Sequence, residues 1–213
     1  YLFRAILVLK RKQQLQKQKQ HQRMHDKILE FGEDNISLLS SHLLKSPSDM
    51  ALRKATSTTD GDLLLIVNET DGSLATYSIL RGQNVIAPSL STTDGEFINV
   101  GVDVDQIYFT VKRTISSADK YYVECFNDDN TTDSAKLYSG GSKPSTTTVT
   151  GLSHLEGKTV KVIADDQMQL DKTVSSGQIT LDAVPTTYVE IGLNYTPTVK
   201  TLPVELKLSS GNI

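Results

Sequence analysis

The chain has 213 residues, of which 38% are hydrophobic and 22% charged, and its formal net charge is −3. This composition is ordinary for a globular protein of one or two domains. Cys125 is the one cysteine, so an internal disulfide is excluded, and no apolar run approaches the roughly 20 residues of a transmembrane helix. We therefore expect no membrane anchor.

Residues 1–33 differ in character from everything that follows. Residues 1–27 carry eight Lys or Arg and one acid, whereas the rest of the chain carries fourteen Lys or Arg and twenty-four acids. The basic, Gln-rich run at 10–27 consists mostly of helix formers. It predicts a solvated basic helix or tail, with a nucleic-acid-binding arm and a foreign or frame-shifted join as the alternatives. Because the chain begins at Tyr1, we expect it to be a fragment, a processed product or an open reading frame cut at one end.

Residues 34–127 are predicted to be a β-rich domain with a short leading helix. Leu39 and Leu43 lie four residues apart, as on one face of a helix, with Asn35 as a plausible N-cap and Pro47 as a stop. The continuous apolar run 63–67 then predicts the first buried strand.

Two hairpins are predicted in this domain. Residues 63–67 and 73–79 flank Asp71-Gly72, and Asp-Gly between apolar runs is a strong hairpin signal. A second hairpin joins residues 106–113 to residues 120–126. The sequence STTDG occurs at 57–61 and again at 91–95. It indicates either successive blades of a propeller-like array or two similar turns.

A Ser/Thr-rich stretch at 128–148, with Gly140-Gly141 and Pro144, predicts a linker. The C-terminal module, residues 149–213, follows it. In this module Val160, Val162 and Ala164 alternate with other side chains at the period of a strand. The density of turns and β-branched residues predicts a small β-barrel or sandwich. The predicted fold class is therefore mainly β: propeller-like or sandwich antiparallel sheets, then this module, with an N-terminal basic helix.

The C-terminal module contains GLSHLEGKTVKVIADD at 151–166, GQITL at 177–181, IGLNY at 191–195 and TLP at 201–203. These motifs resemble the C-terminal part of the tail nozzle family of short-tailed phages, also called tail tubular protein B. The small β-module of that family is likened to a domain of ubiquitin-activating enzymes. The chain departs from the family pattern at Asp166, where Gly is usual, and at Ile191, where Val is usual. The resemblance covers roughly residues 34–208 and fails at 1–33.

The resemblance implies a structural virion protein of the phage tail, assembled in the host bacterial cytoplasm and not an enzyme. It implies a homo-oligomeric ring that contacts other tail and portal-adaptor proteins. DNA would pass through the lumen during ejection without sequence-specific binding, and no cofactor or metal is implied. The residues singled out are structural turn residues: Asp71, Gly72, Gly151, His154, Glu156 and Gly157.

Several patterns could carry chemistry, but each has a simpler interpretation. The acidic run at 128–133 lacks the spacing of a calcium loop, so it indicates a solvated turn. His21 and His25 could share a helix face, but no further ligand completes a metal site. Asp165-Asp166 indicates a turn rather than a catalytic pair. Cys125 is interpreted as a small hydrophobe of a strand, a residue type that is commonly buried.

Two other classes of function stay open. A carbohydrate- or protein-binding module of a tail fibre or secreted adhesin predicts aromatic side chains grouped on one face, with Tyr121, Tyr122, Tyr188 and Tyr195 as candidates. A tail-associated hydrolase predicts turnover of peptidoglycan or capsule that depends on Asp165 or His154.

Overall fold

The computed structural model describes residues 37, 40–57, 60–200, 207–208 and 211–212, and the predicted basic helix therefore lies outside the described residues. The described chain is mainly antiparallel β-structure, as predicted, with short 3-10 helices. The 3-10 helices are Ser41–Leu43, Arg81–Gln83, Gly140–Ser142 and Ser153–Leu155. The strands are β1 (Pro47–Arg53), β2 (Asp62–Asn68), β3 (Leu74–Leu80), β4 (Val85–Ser91), β5 (Glu96–Asp103), β6 (Gln106–Ile115), β7 (Ala118–Cys125), β8 (Asp133–Ser139), β9 (Thr148–Thr150), β10 (Thr159–Ala164), β11 (Gln167–Met168), β12 (Lys172–Thr173), β13 (Gln178–Thr180), β14 (Tyr188–Leu193), β15 (Lys207–Leu208) and β16 (Gly211–Asn212).

Strands β1 to β4 form a four-stranded antiparallel sheet in sequence order. The predicted hairpin across Asp71-Gly72 is confirmed, since β2 pairs with β3 from Val67 and Leu74 outward. Strand β2 is apolar over residues 63–67 because the sheet is covered on both faces at this strand. Leu65 and Val67 join one hydrophobic cluster, and residues on the other face of β2 and β3 join a second cluster with Leu43 and Leu44.

Strands β5 to β7 form a three-stranded sheet with two-residue turns. The predicted second hairpin is confirmed, but its turn is tighter than expected because β6 and β7 pair as far as Ile115 and Ala118. Ser116 and Ser117 both have positive φ angles, 50° and 64°, as a type I′ turn requires. The inward side chains of β5 and β6, such as Phe97 and Phe109, share a core with β2 and β3.

The short helix expected before the first strand is not found as such in the described part of the chain. Leu39 and Asn35 lie outside the described residues, and the helical turn that remains is a 3-10 helix at Ser41–Leu43. Pro47 follows this turn and starts β1, where it pairs with Asn68. The segment is held by packing instead, because Leu43 and Leu44 lie on the four-stranded sheet.

The C-terminal unit, residues 131–193, begins earlier than the composition suggests. Strand β8 lies inside the expected linker 128–148, and it pairs with β14 at the edge of a sheet ordered β11-β10-β14-β8, with β12 also on β10. The polar composition of this stretch did not indicate β8, because Tyr138 is the one buried residue of the strand. The expected barrel is not found, because this sheet ends at β8 and β11 without closing among the described residues.

The alternation predicted for Val160, Val162 and Ala164 is confirmed, as all three are buried on β10. The apolar positions of the motif at 151–166 make up much of the core of the C-terminal unit. This core is Tyr138, Val149, Leu152, Leu155, Val160, Val162, Ala164, Val174, Ile179, Leu181, Val189, Ile191 and Leu193.

Candidate functional site

The turn at Asp71-Gly72 is the first of the sequence-predicted sites. Gly72 has φ +62°, and a Cβ at this position would approach Glu96 Cβ to 2.5 Å, so glycine is needed for both the backbone and the contact with β5. The Asp71 carboxylate accepts hydrogen bonds from Lys45 Nζ (2.7 Å) and from the amide and hydroxyl of Ser73. The hydrogen bond from Lys45 is the main reason that the pKa of Asp71 falls to about 2.

A buried asparagine beside this turn was not found from the sequence. The Asn68 side chain accepts from the Lys45 amide at 2.8 Å and donates to the carbonyl of Leu43 and the hydroxyl of Ser73, each at 2.9 Å. It thereby fixes the segment before β1 to the β2–β3 turn. The one sequence signal for this role is that Asn68 lies at the end of a strand beside a turn, where Asn is frequent.

The glycines of the C-terminal motif occupy left-handed positions, as a turn role requires. Gly151 has φ +83° and Gly157 has φ +76°. Glu156, predicted to close its own turn, instead accepts hydrogen bonds from the amides of Ser176 (2.8 Å) and Gly177 (2.6 Å). The carboxylate therefore links two turns that lie twenty residues apart in the sequence.

His154 also makes a more distant contact than predicted. Its Nε2 lies 3.3 Å from the carbonyl oxygen of Ser134 on β8, and its ring lies edge-on to Tyr122 at 6.4 Å between centroids. Burial is the main cause of a pKa below the ordinary histidine value. The imidazole thus lies between β7 and the C-terminal unit.

Asp165 is a capping residue. Its carboxylate accepts hydrogen bonds from the amides of Thr186 (2.6 Å) and Thr187 (2.7 Å) and from both threonine hydroxyls. These bonds, the Thr186 amide first, hold the pKa of Asp165 well below its usual range. Asp165 and Asp166 have φ angles of 51° and 65°, so they form the predicted turn, here of type I′.

The hydrolase alternative would place chemistry on Asp165 or His154. Asp165 follows Ala164, which pairs with Val189 near one end of the sheet, whereas His154 contacts Ser134 near the other end. Along β8 this separation is about 15 Å at the usual rise of a strand. These two side chains therefore do not share a site.

The most concentrated polar cluster in the described chain was not anticipated as a site. Arg113 on β6 has a side chain only 2% exposed, and it donates to both carboxylate oxygens of Glu124 on β7 at 2.7 and 2.6 Å. It also donates to the backbone carbonyl of Asp94 at 2.8 Å, and it lies 3.6 Å from Asp133 on β8. A buried guanidinium is thus satisfied by three different segments.

This junction, defined as Arg113, Glu124, Asp133, Asp94 and Lys158, joins the three-stranded sheet to the C-terminal unit. The Asp133 carboxylate accepts a 2.8 Å hydrogen bond from the Thr93 hydroxyl, and Lys158 pairs with the Asp94 carboxylate at 2.6 Å. These bonds join residues that precede the 126–132 segment to residues that follow it. The junction can therefore fix the angle between the two β units. This role is structural and does not require a substrate-binding cleft.

A signal for this junction was present in the sequence. Arg113 follows Ile107, Phe109 and Val111 at the two-residue period of a strand. The pattern therefore predicts a charged side chain on the inward face of β6. No such signal exists for Glu190. That buried carboxylate on β14 accepts hydrogen bonds from the amides of Thr131 and Thr132, each at 2.8 Å, across nearly sixty residues of chain.

No protein-family model matches this chain, and a search of curated proteins also finds no match. In the described ranges no helix is long and apolar enough to cross a membrane. Within the same ranges, no three His, Cys, Asp or Glu side chains come together as a metal site would require. His21 and His25 lie outside the described residues.

The interpretation of Cys125 as a buried residue is wrong. The thiol is exposed, because β7 is an edge strand whose outer face is not covered. The four candidate tyrosines also do not form one face. Tyr121 and Tyr122 alternate on β7, Tyr122 lies against His154, and the Tyr188 hydroxyl donates to Asp166 at 2.8 Å.

Proposed function

We propose that this protein is a non-enzymatic structural component of a phage tail, of the tail nozzle type, and that copies assemble as a ring around a DNA channel. The proposal rests on the motif at 151–166 and on the work its residues do in the structure. Val160, Val162 and Ala164 fill the core, and Glu156 and Asp165 cap backbone turns. Every one of these roles is architectural.

The two N-terminal sheets fit a propeller-like or sandwich arrangement within that proposal. The four-stranded sheet is a meander in sequence order, as a propeller blade is, and its two faces contribute to two separate hydrophobic clusters. The repeated STTDG sequence supports the same interpretation, since it precedes β2 in one copy and β5 in the other.

The charge of the chain suits a channel through which DNA moves. Residues 28–213 carry fourteen Lys or Arg and twenty-four Asp or Glu. An acidic surface disfavours persistent contacts with phosphates, because binding to DNA relies on neutralising them with Lys and Arg. The lumen would therefore pass DNA without gripping it, and the ring would contact other tail and portal-adaptor proteins.

The DNA that flanks the coding sequence gives the first test. Adjacent portal and tail genes, with further β-rich sequence in frame upstream, are the expected result. Metabolic or secretion genes on both sides would overturn the tail assignment.

Electron microscopy of the purified full chain gives the second test, and closed rings with a central hole are expected. Turnover of peptidoglycan or capsule that is lost with His154→Ala would instead support a hydrolase. Glycan or protein binding that is lost with Tyr121→Ala would support the binding module.

A further inference from the structure

Strand β7 is an open sheet edge. Among the described residues it pairs with β6 on one side and with no strand on the other. Its sequence, ADKYYVEC, contains no proline or glycine and runs for eight residues. The edge strand β4 differs, since Pro88 removes one backbone donor there. Proteins usually blunt exposed edges, so a long regular edge indicates a pairing surface.

The hairpin register shows which backbone groups face this open edge. Ile115 and Ala118 close the two-residue turn, and the Phe126 amide donates to the Ile107 carbonyl at 3.1 Å. Antiparallel pairs alternate between hydrogen-bonded and non-hydrogen-bonded positions. Even-numbered residues of β7 therefore bond to β6. The odd-numbered residues point their amides and carbonyls outward: Asp119, Tyr121, Val123 and Cys125.

The same odd-numbered residues carry an apolar outer face. Val123 is 78% exposed and Tyr121 is 65% exposed, with Tyr108 of β6 beside them at 41%. The inner face of β7 differs, because Tyr122 and Glu124 contact His154 and Arg113. An exposed group of large apolar side chains beside unpaired backbone groups favours strand addition by a protein partner.

We propose that β7 pairs antiparallel with β7 of a second copy of this chain, about a two-fold axis at Tyr122. Hydrogen-bonded positions in the new ladder must join outward-facing residues, so each odd-numbered residue lies opposite another odd-numbered residue. The centred register places Tyr121 opposite Val123 and Asp119 opposite Cys125. This register overlaps seven of the eight residues of the strand, as does the register centred on Tyr121, and the charges decide between the two.

Charge complementarity identifies the partner as a second copy. In this register Lys120 of each copy lies opposite Glu124 of the other, so each lysine adds a second positive charge beside a carboxylate that Arg113 of the same chain already binds. A shift by two residues in either direction breaks both pairs, because it places Tyr122 opposite Lys120 or opposite Glu124. A shift by one residue is excluded, because it would set outward-facing groups opposite inward-facing ones.

This contact goes beyond the proposed function and does not depend on it. A strand that pairs with itself makes an isologous contact, which closes on two copies. A ring instead requires a head-to-tail contact between different surfaces. Failure of one contact therefore leaves the other intact, and the two are distinguishable by mass.

The pairing is tested by sedimentation equilibrium of the full chain, measured for the wild type, Val123→Pro and Val123→Thr. Proline at 123 removes an outward amide and leaves the β6 ladder intact, whereas threonine keeps the amide and the β-branched shape. We expect a reversible two-copy species whose dissociation constant rises by about tenfold or more in Val123→Pro, and stays within a few-fold in Val123→Thr.

Oxidative cross-linking in a Cys125→Ser background keeps the proposal testable if Val123→Pro does not fold. Tyr122→Cys faces its own counterpart at the axis, so it should form a disulfide-linked dimer, whereas Tyr121→Cys, which faces Val123, should not. A monomer at the highest attainable concentration, or equal cross-linking at both positions, would overturn the proposal. Loss of the two-copy species in Val123→Pro while a ring survives would support both this pairing and the proposed function.

Discussion

Replacing Arg113 with methionine should destabilise the protein far more than an adjacent substitution on the same strand. Arg113 is buried, makes two hydrogen bonds to Glu124 and one to the Asp94 carbonyl, and lies near Asp133. Methionine has a similar length but no donors. The Glu124 carboxylate, on a side chain 25% exposed, would then lose its counter-charge.

The size of the effect follows from that burial. Removing one partner of a buried ion pair typically costs about 3–5 kcal/mol, because the remaining charge has lost its compensation. Lys112 is the matched control, since its side chain points to the outer face and pairs with Glu96 at 3.0 Å in contact with solvent. Lys112→Met should change the free energy of unfolding little, because exposed ion pairs contribute little.

Urea unfolding followed by the circular dichroism of the β-sheet measures both variants. The double variant Arg113→Met with Glu124→Leu should be less destabilised than Arg113→Met alone, because an apolar pair leaves no unpaired charge. The reasoning is refuted if Arg113→Met costs no more than Lys112→Met. The reasoning is also refuted if the double variant loses as much free energy of unfolding as Arg113→Met and Glu124→Leu lose when their separate effects are added.

Three further changes test other parts of the structure. Tyr138→Phe removes the 2.6 Å hydrogen bond from the hydroxyl to the Thr150 carbonyl and should cost about 1 kcal/mol. Because burial raises the pKa of Tyr138 to about 12, above its unfolded value near 10, the wild type should lose stability between these pH values. Tyr138→Phe should show less of that loss in alkaline unfolding, and an identical pH profile would contradict the assignment. For Asp71 the sign is opposite: its pKa of about 2 lies below the unfolded value, so stability should fall as the pH drops from about 4 to about 2. In acid unfolding the stability of Asp71→Asn should fall less steeply with pH than that of the wild type. An unchanged slope would contradict this role of Asp71. Val104 has φ +58° in an exposed turn, where a β-branched residue is strained, so Val104→Gly should raise the free energy of unfolding by up to about 1 kcal/mol. Urea midpoints for Val104→Gly and Val104→Ala decide this, since alanine should gain little.

The sequence predicted those parts of the fold that depend on local patterns. The Asp71-Gly72 hairpin and the alternation on β10 could be located because turn residues and period-2 patterns act over a few positions. The helix expected before β1 is, in the described residues, the 3-10 turn Ser41–Leu43, and Pro47 starts a strand whose partner Asn68 lies more than twenty residues away. Tertiary contact overrode local preference there.

The contacts that hold the units together depend on residues far apart in the sequence. Glu156, His154 and Glu190 each bond to a backbone group at least twenty residues away, so no local pattern indicates the partner. Arg113 could have been noticed as a charge in phase with apolar neighbours. Its partners on β7 and β8 could not, because they follow from how three segments meet.

Strand β8 determines where the chain can be cut for expression of its C-terminal part. A fragment that starts at Val149, where the composition changes, would lose the Tyr138 ring from the core and leave one side of β14 without its neighbour. It would also lose the amides of Thr131 and Thr132 and so leave Glu190 buried without donors. A fragment that starts at Asn130 keeps all of these contacts, including the Thr131 amide. Only the longer fragment has the parts needed to fold by itself.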